Sequence, residues 1–309
     1  MAEKNYDIVV IGGGPGGLTA GMYGARAKMK TVLLEKYLPG GQIANTEEVE
    51  DYPGFELISG AELATKMADH AKKFGLEIVS DEVKEIYSEG NDRIVVAASG
   101  DIYRAKAVIV STGGSPTLLK IPGEKEFAGK GVSYCAICDA NFFKGEIIAV
   151  VGGGDAAVEE GMFLTKFGSK VILIHRRDEL RAQKVIQDRA FKNEKMEFIW
   201  DTVVESIEGD NKVRKLSLTN VKTGEKSTLE VGAVFVFIGF HPNSNIFREE
   251  VKKDSSGYII TDDKMETSIK GIYACGDVRH QLVRQITNAV GDGTTAAMAA
   301  EKYIESMHD

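Results

Sequence analysis

Two cysteines three positions apart, Cys135 and Cys138, are the residues of this chain with the clearest capacity for chemistry. They stand in the stretch SYCAICDANFF and are followed at once by Asp139. A C-x-x-C pair can bind a metal, brace a loop, or open and close as a redox disulfide. A zinc site would need further Cys or His ligands at a characteristic spacing, and no H-x3–5-H spacing accompanies the pair. We therefore favour a redox dithiol, with an inert structural pair as the open alternative.

The acid beside the pair has two interpretations. The Asp139 carboxyl could supply a proton as a thiolate leaves, or it could be a simple helix N-cap or turn acid. The third cysteine, Cys275, lies in the apolar stretch GIYACGD, which predicts a small buried core residue. An odd, low cysteine count with no secretion signal ahead of the first strand predicts a reducing, cytoplasmic setting.

The elements around the pair repeat one pattern. Residues 6–36 and 146–177 each give an apolar strand, a glycine turn, a helix and a second apolar strand. This is a βαβ unit, whose two parallel strands require the helical crossover. Two such units in one chain predict an α/β protein with two Rossmann-like dinucleotide-binding domains.

The first copy carries a glycine motif and a terminal acid. Gly12, Gly14 and Gly17 form G-x-G-x-x-G directly after a strand, and Glu35 ends the second strand. The glycines permit a tight turn, the approach of a pyrophosphate and close helix–strand packing, and an acid at that strand end accepts hydrogen bonds from ribose hydroxyls. The first site is predicted to bind a dinucleotide with a free 2′-hydroxyl; Glu35 as a solvated strand end is the alternative.

The second copy has a different charge at the same place. Its glycine motif is G-x-G-x-x-A, and its second strand runs into HRRDELR. Arginine binds phosphate bidentately and stays charged, so this site is predicted to take the 2′-phosphate of NADPH, against a basic solvated loop as the alternative. A flavin accepts a nicotinamide hydride, so the first site is predicted to hold FAD. The residues predicted for NADPH are Gly152, Gly154, Ala157, His175, Arg176, Arg177 and Arg181.

The later part of the chain returns to the first pattern. Strands over 213–218 and 227–231 flank KTGE and predict a hairpin, whereas GIYACGDV and the helical tail after it resemble the first domain more than the second. We therefore predict that the NADPH-binding domain, residues 115–245 with the cysteine pair, is inserted into an FAD-binding domain formed by residues 1–114 and 246–309.

Composition excludes several other classes of protein. The chain has 309 residues, a net charge of −8 and 43% hydrophobic residues, which is typical of a globular protein that does not bind nucleic acid. No apolar run reaches the length of a membrane span, so no membrane partner is predicted.

Taken together, these motifs resemble the bacterial-type, low-molecular-weight NADPH–thioredoxin reductases over essentially the whole chain. CAICD between the two nucleotide folds is the specific element, supported by GGGPGG, GGQI, GGGDAAVEEG, HRRDELR, GIYACGDVR and RQITNAVGDG. Ala156 and Asp51 depart from the residues that are common in the family at these places.

The resemblance implies a role for each matching position. Cys138 would be the thiol against the flavin, Cys135 the thiol that attacks the disulfide of thioredoxin, and Asp139 the acid–base group. It also implies a homodimer and a rotation of the inserted domain. The residues implied for FAD are Gly12, Gly14, Gly17, Glu35, Gly41, Gln42, Asp277, Arg284, Gln285 and Ile286.

Two alternatives stay open on the sequence alone. Reductases or oxidases of small dithiol metabolites share the C-x-x-C pair, and a non-catalytic redox sensor would share the nucleotide motifs as well.

Overall fold

The computed structural model describes residues 2–46 and 49–307, and the chain divides into two compact units. The first unit comprises Met1–Ser115 and His241–Asp309, and the second comprises Pro116–Phe240. The second unit is therefore an insertion in the first. Each unit has a largely parallel sheet with a βαβ start, so the predicted fold of two Rossmann-like domains, one inserted into the other, is confirmed.

The first unit begins with the predicted strand, glycine turn, helix and strand. The apolar run at the end of the first strand is fully buried, with Ile8, Val9 and Val10 at 0% exposure, because the sheet is covered on both faces. The elements up to the first chain crossing are β1 (Glu3–Ile11), α1 (Pro15–Arg26), β2 (Thr31–Glu35), a 3-10 helix (Gly41–Asn45), α2 (Gly60–Lys73), β3 (Glu77–Ser80), β4 (Val83–Glu89), β5 (Asp92–Ala97), β6 (Ile102–Val110) and β7 (Gly114–Pro116).

The second unit repeats the pattern after a short helix that carries the cysteine pair. Its elements are β8 (Val132–Ser133), α3 (Ala136–Asp139), a 3-10 helix (Ala140–Phe143), β9 (Ile147–Gly152), α4 (Asp155–Leu164), β10 (Lys170–Ile174), α5 (Lys184–Phe191), β11 (Met196–Ile199), β12 (Thr202–Gly209), β13 (Val213–Asn220), β14 (Lys226–Glu230) and β15 (Ala233–Phe237).

The chain then returns to the first unit. This last part contains β16 (Phe240–Pro242), β17 (Ile272–Ala274), a 3-10 helix (Gly276–Val278) and α6 (Ile286–Glu305). The strands β7 and β16, which contain the two crossing points, pair with each other. β17 adds to the first sheet beside β6 in parallel, with Tyr273 opposite Ile109. The end of the chain therefore belongs to the first unit.

The two main sheets place their strand ends at the nucleotide loops. In the first unit the strand order is β3-β2-β1-β6-β5-β4, with β17 on β6, and in the second it is β11-β10-β9-β15-β8. In both units the first two strands of the βαβ run parallel, with Val10 opposite Leu33 and Val150 opposite Leu173. Within each unit, the carboxyl ends of its parallel strands lie at the same edge of the sheet, and this is the edge at which open α/β sheets bind ligands.

A separate antiparallel sheet, β12-β13-β14, follows in the second unit. β13 and β14 pair with Leu216 opposite Leu229 and turn around Thr223 and Gly224, so the hairpin predicted across KTGE is confirmed. Among the described residues, no helix has both the length and the apolar character that crossing a bilayer requires.

Candidate active site

The two cysteines of the predicted redox pair are joined by a disulfide, with their Cα atoms 5.4 Å apart. Cys135 is the N-cap residue of α3, and its Sγ accepts a hydrogen bond from the backbone N–H of Cys138 at 3.3 Å. Both cysteines are half-buried, whereas Ile137 between them is 56% exposed. The pair is thus partly accessible to solvent, with a backbone donor directed at one of its sulfurs.

A serine before the pair holds the neighbouring acid. The buried hydroxyl of Ser133 donates a hydrogen bond to Asp139 Oδ2 at 2.6 Å and accepts one from the backbone N–H of Cys135 at 3.1 Å. The carboxyl of Asp139 is therefore oriented by a group that itself contacts the backbone of the first cysteine. Sequence reasoning gave Ser133 no role, although its position two residues before Cys135 was a usable signal.

The first glycine loop has the shape that its motif predicts. Gly12 has φ +99°, and a Cβ at Gly17 would collide with the carbonyl oxygen of Gly12. A Cβ at Gly14, in contrast, would meet only the Cα of Gly41, at 4.0 Å. Gly14 is also the N-cap of α1 and provides no side-chain cap for the first turn of the helix.

Glu35 turns back onto this loop from the end of β2. Its Oε2 accepts the Gly13 N–H at 2.7 Å and its Oε1 accepts the Tyr37 N–H at 2.9 Å. The next glycines lie on the same loop, because the N–H of Gly40 donates to the carbonyl oxygen of Gly13 at 2.7 Å. Gly13 and Tyr37 were not predicted, since their contribution comes from backbone groups.

The other residues assigned to the first site lie on three further segments of this unit. Gln42 Nε2 donates to the carbonyl oxygen of Gly114 at 2.9 Å. Gln285 is the N-cap of α6, and Ile286 packs against the apolar cluster that contains Ile43. Glycines from α1 and α6 meet, since a Cβ at Gly293 would collide with the carbonyl oxygen of Gly16.

Asp277 lies in the short 3-10 helix after β17 and is partly buried. Burial raises the pKa of its carboxyl to about 6, although the positive charge of Arg284 opposes the shift. Arg284 also places its guanidinium 4.3 Å from the ring centroid of Tyr258. A carboxyl withdrawn from water in this way is suited to accept hydrogen bonds from hydroxyl groups of a ligand.

The second glycine loop repeats the geometry with one change. A Cβ at Gly152 would meet the Cβ of Ala157 at 2.6 Å, so the alanine fits at the third position only against a glycine. Gly154 is the N-cap of α4, has no side-chain cap, and has nothing within 4 Å of the place where a Cβ would stand. This loop therefore also leaves open space at a helix N-terminus.

The basic stretch that follows β10 is tied to that loop. The backbone N–H of Arg181 donates to the carbonyl oxygen of Gly153 at 2.7 Å. The side chains of Arg176, Arg177 and Arg181 are exposed, and none of them forms an ion pair with any residue in 2–46 or 49–307. Three unpaired guanidinium groups in one loop provide a site for a phosphate group.

His175 stands between the strand and this basic loop. It is 5% exposed, and a Cβ at Gly153 would collide with its ring. Its Nε2 has no hydrogen-bond partner within the described part of the chain. Burial, followed by the charges of the nearby arginines, lowers the pKa of His175, so the ring is neutral at ordinary pH.

Comparisons with known proteins agree over the whole chain. The family described as "Pyridine nucleotide-disulphide oxidoreductase" matches residues 6–293. The chain belongs to this family. It is 49% identical over 308 residues to a protein named thioredoxin reductase from Bacillus subtilis (strain 168), covering 99% of this chain and 97% of that protein. Another protein of that name, from Peptoclostridium litorale, is 50% identical over 312 residues and covers 99% of both chains.

A solved structure gives the same picture. The crystal structure of thioredoxin reductase from Streptococcus pyogenes MGAS5005 is 47% identical, with a TM-score of 0.95 and coverage of 98% of this chain and 99% of that chain. The resemblance inferred from the motifs is thereby confirmed. This pyridine nucleotide-disulphide oxidoreductase is a flavoprotein enzyme that reduces disulfides and uses FAD and NADPH.

The described residues fit both cofactors of this family member. Each unit offers a helix N-terminus without a side-chain cap beside a glycine where a Cβ would find open space, which suits a pyrophosphate. The first unit adds the Glu35 carboxylate, which suits ribose hydroxyls, and the second adds unpaired arginines, which suit a 2′-phosphate.

The remaining cysteine of this oxidoreductase is a core residue. Cys275 is fully buried in the apolar cluster that includes Leu18 and Ile109, and burial raises the pKa of its thiol to about 12. Its thiolate is therefore not available near neutral pH. The prediction of a small buried core residue is confirmed.

Proposed function

We propose that this disulfide reductase acts on thioredoxin, with Cys135 and Cys138 alternating between disulfide and dithiol. The observation that carries the proposal is the Cys135–Cys138 disulfide, located in the inserted unit of a chain whose full-length relatives are named thioredoxin reductase. When bound, NADPH supplies a hydride, and FAD carries its two electrons to a disulfide.

We assign FAD to the first unit. Its glycine loop and the α1 N-terminus would hold the pyrophosphate, Glu35 the ribose and Asp277 a hydroxyl of the ribitol chain. The open space at Gly14 and the raised pKa of Asp277 support this assignment. The full set of residues proposed for FAD is Gly12, Gly14, Gly17, Glu35, Gly41, Gln42, Asp277, Arg284, Gln285 and Ile286.

We assign NADPH to the second unit, residues 116–240. The α4 N-terminus would hold its pyrophosphate, and the arginines after β10 would hold its 2′-phosphate. The hydrogen bond from Arg181 N–H to the Gly153 carbonyl supports this, because it ties the basic stretch to the glycine loop. The full set of residues proposed for NADPH is Gly152, Gly154, Ala157, His175, Arg176, Arg177 and Arg181.

Cys135 is the proposed nucleophile toward thioredoxin. Once the disulfide is reduced, the Cys138 N–H that is directed at Cys135 Sγ stabilises a thiolate there. That thiolate forms a bond to one sulfur of the substrate disulfide, and the second substrate sulfur leaves as a thiolate. Cys138, deprotonated, then attacks Cys135 Sγ, so that the Cys135–Cys138 disulfide reforms and the reduced substrate departs.

Asp139 is the proposed acid–base group in this exchange. It would give a proton to the leaving thiolate and accept the proton that Cys138 loses. Ser133, through its 2.6 Å hydrogen bond to Oδ2, is the proposed positioning residue for this carboxyl. Cys138 is the proposed sulfur that takes electrons from the flavin.

The experiment that tests the function compares two electron acceptors on the purified protein. We expect flavin absorption bands that bleach with NADPH rather than NADH, and turnover with thioredoxin far above that with a small disulfide dye. A Cys138→Ser variant should lose thioredoxin reduction. A protein that stays colourless after reconstitution with FAD, or a variant that reduces thioredoxin at the full rate, would contradict the proposal.

We also propose that the protein is cytoplasmic and forms a homodimer. The low cysteine count, with one thiol buried in the core, supports a reducing compartment. Light scattering on the purified chain at several concentrations tests the dimer, and a mass equal to one 309-residue chain at all of them would contradict it.

A further inference from the structure

The basic stretch after β10 contains acids as well as arginines. Asp178 follows Arg177 directly, and Asp201 lies beyond the end of the neighbouring strand β11. A carboxylate so close to the arginines would compete with a phosphate for the guanidinium groups and would repel the phosphate itself. A loop that binds a 2′-phosphate therefore needs these acids to be neutralised by some other cation.

Lys222 is the cation that the structure provides. Its Nζ lies 2.7 Å from Asp178 Oδ2 and 3.1 Å from Asp201 Oδ2. Lys222 lowers the pKa of Asp178, and both acids raise the pKa of Lys222, so the Asp178 carboxylate and the Lys222 ammonium are both charged at neutral pH. Lys222 comes from the hairpin turn between β13 and β14, 44 residues after Asp178 in the sequence.

Backbone hydrogen bonds bring this turn to the basic stretch. The N–H of Asp201 donates to the carbonyl oxygen of Arg177 at 3.1 Å, and the N–H of Val221 donates to the carbonyl oxygen of Asp201 at 2.6 Å. Within the turn, Asn220 Oδ1 accepts the N–H groups of Lys222 and Thr223, each at 3.0 Å. The position of Lys222 is therefore built into the fold and does not depend only on an exposed ion pair.

We propose that Lys222 is a positioning residue for selectivity toward the 2′-phosphate: it pairs with Asp178 and Asp201 and so leaves the arginines available to the phosphate. The inference rests on the proposed role of Arg176, Arg177 and Arg181. The stretch 176–181 carries the three arginines with Asp178 and Glu179, and the backbone hydrogen bonds described above bring Asp201 and Lys222 to it. Without Lys222 the opposite charges are equal in number, and Asp178 is free to turn toward Arg177.

The test measures binding of two small probes to the purified holoprotein by calorimetry. The first probe, 2′,5′-ADP, carries the 2′-phosphate, and the second, ADP, does not. We expect Lys222→Ala to weaken binding of 2′,5′-ADP by about threefold to tenfold while ADP binding changes by less than about 1.5-fold. The loss should shrink as salt is raised, because the interaction is between exposed charges.

Lys170→Ala is the matched control. Lys170 forms an exposed ion pair of the same length, 2.7 Å, with Glu197, but at the opposite end of β10 and β11, about 16 Å from the basic stretch. The Lys170→Ala variant removes the same charge as Lys222→Ala and should leave the binding of both probes unchanged. Lys222→Arg should keep the selectivity, and adding Asp178→Asn to Lys222→Ala should recover at least half of the lost affinity.

Three results would overturn the inference, and they differ in meaning. An equal loss for both probes in Lys222→Ala would assign the lysine a merely structural role. If Lys170→Ala weakened binding of 2′,5′-ADP as much as Lys222→Ala does, the effect would come from the net charge of the protein and not from the position of Lys222. Wild-type protein that binds 2′,5′-ADP no better than ADP would overturn the proposed role of the arginines and, with it, the role of Lys222.

Discussion

The two βαβ folds of this chain have the same order of strand, glycine loop, helix and strand. They differ in the side chain that the end of the second strand places against the glycine loop. In the first fold, Glu35 at the end of β2 accepts the N–H of Gly13. In the second, His175 after β10 packs its ring where a Cβ of Gly153 would stand. In both, the residue at the strand end rests on the middle glycine of the loop. The residue at this position therefore shapes the loop in both folds, whereas the charged groups nearby differ: the Glu35 carboxylate in the first fold and the arginines that follow His175 in the second.

The second difference is the disulfide, which only the inserted unit carries. Removing one of its two sulfurs therefore tests this difference most directly. Cys138→Ser should lower the rate of thioredoxin reduction by about 10³-fold or more, because no dithiol can form. Binding of 2′,5′-ADP to the same unit should stay unchanged, as measured by calorimetry.

Cys275→Ala is the control for this variant. Cys275 is buried with a pKa of about 12, so its removal should leave the rate of thioredoxin reduction within about twofold of wild type. Substantial thioredoxin reduction by Cys138→Ser would mean that the electrons leave by a route other than this pair.

The third loop position gives the next largest expected effect. A Cβ at Gly17 would collide with the carbonyl oxygen of Gly12, whereas Ala157 already occupies the corresponding place against Gly152. Gly17→Ala should destabilise the protein by about 3 kcal/mol and weaken FAD binding. Ala157→Gly should cost only about 1 kcal/mol, the usual price of glycine in a helix. Urea denaturation and flavin content measure both.

The expected difference in stability between Gly17→Ala and Ala157→Gly tests whether the two glycine loops pack differently. If both shifted the urea midpoint equally, the packing of helix against strand would be the same in the two folds, and the contrast between glycine and alanine would carry no structural meaning.

Replacing the arginines that follow β10 tests the role of the positive charge at this strand end. Arg176→Ala combined with Arg177→Ala should weaken NADPH binding by about 10- to 100-fold, because hydrogen bonds to a charged group contribute about 1.5–3 kcal/mol. NADH binding should hardly change, since it lacks the 2′-phosphate. Titration of each nucleotide by fluorescence measures the ratio, and a similar loss for NADH would show that these side chains serve the loop rather than the phosphate.

The sequence revealed the parts of this comparison that depend on local spacing. The glycine loops, the strand ends at Glu35 and His175 and the C-x-x-C pair all lie within short periodic segments. Ser133 and Lys222 were missed because their roles depend on tertiary contacts. Ser133 meets Asp139 only through the turn into α3, and Lys222 meets Asp178 only because a hairpin folds beside β11. Neither residue type signals such a contact by itself.

The smallest effect concerns a carboxyl in the first unit, which contrasts with the buried imidazole of the second. Burial raises the folded-state pKa of Asp277 to about 6, above the 3.8 of an unperturbed carboxyl. The folded protein thus binds this proton more tightly than the unfolded one, so its contribution to stability is fully present below about pH 4 and is lost as pH rises through 6. Asp277→Asn cannot ionise and avoids that loss.

A shift from 3.8 to about 6 corresponds to at most about 3 kcal/mol, and solvent screening at this partly buried carboxyl reduces that amount. In FAD-free protein, Asp277→Asn should therefore be more stable than wild type by about 1 kcal/mol at pH 8 and no more stable at pH 4, as urea denaturation at the two pH values would measure. The same variant should bind FAD more weakly, because it exchanges an ionised acceptor for a neutral amide. A variant that is more stable than wild type but binds FAD more weakly would show that Asp277 serves FAD binding and lowers the stability of the FAD-free protein. A variant less stable than wild type at pH 8 would instead show that this carboxylate stabilises the fold.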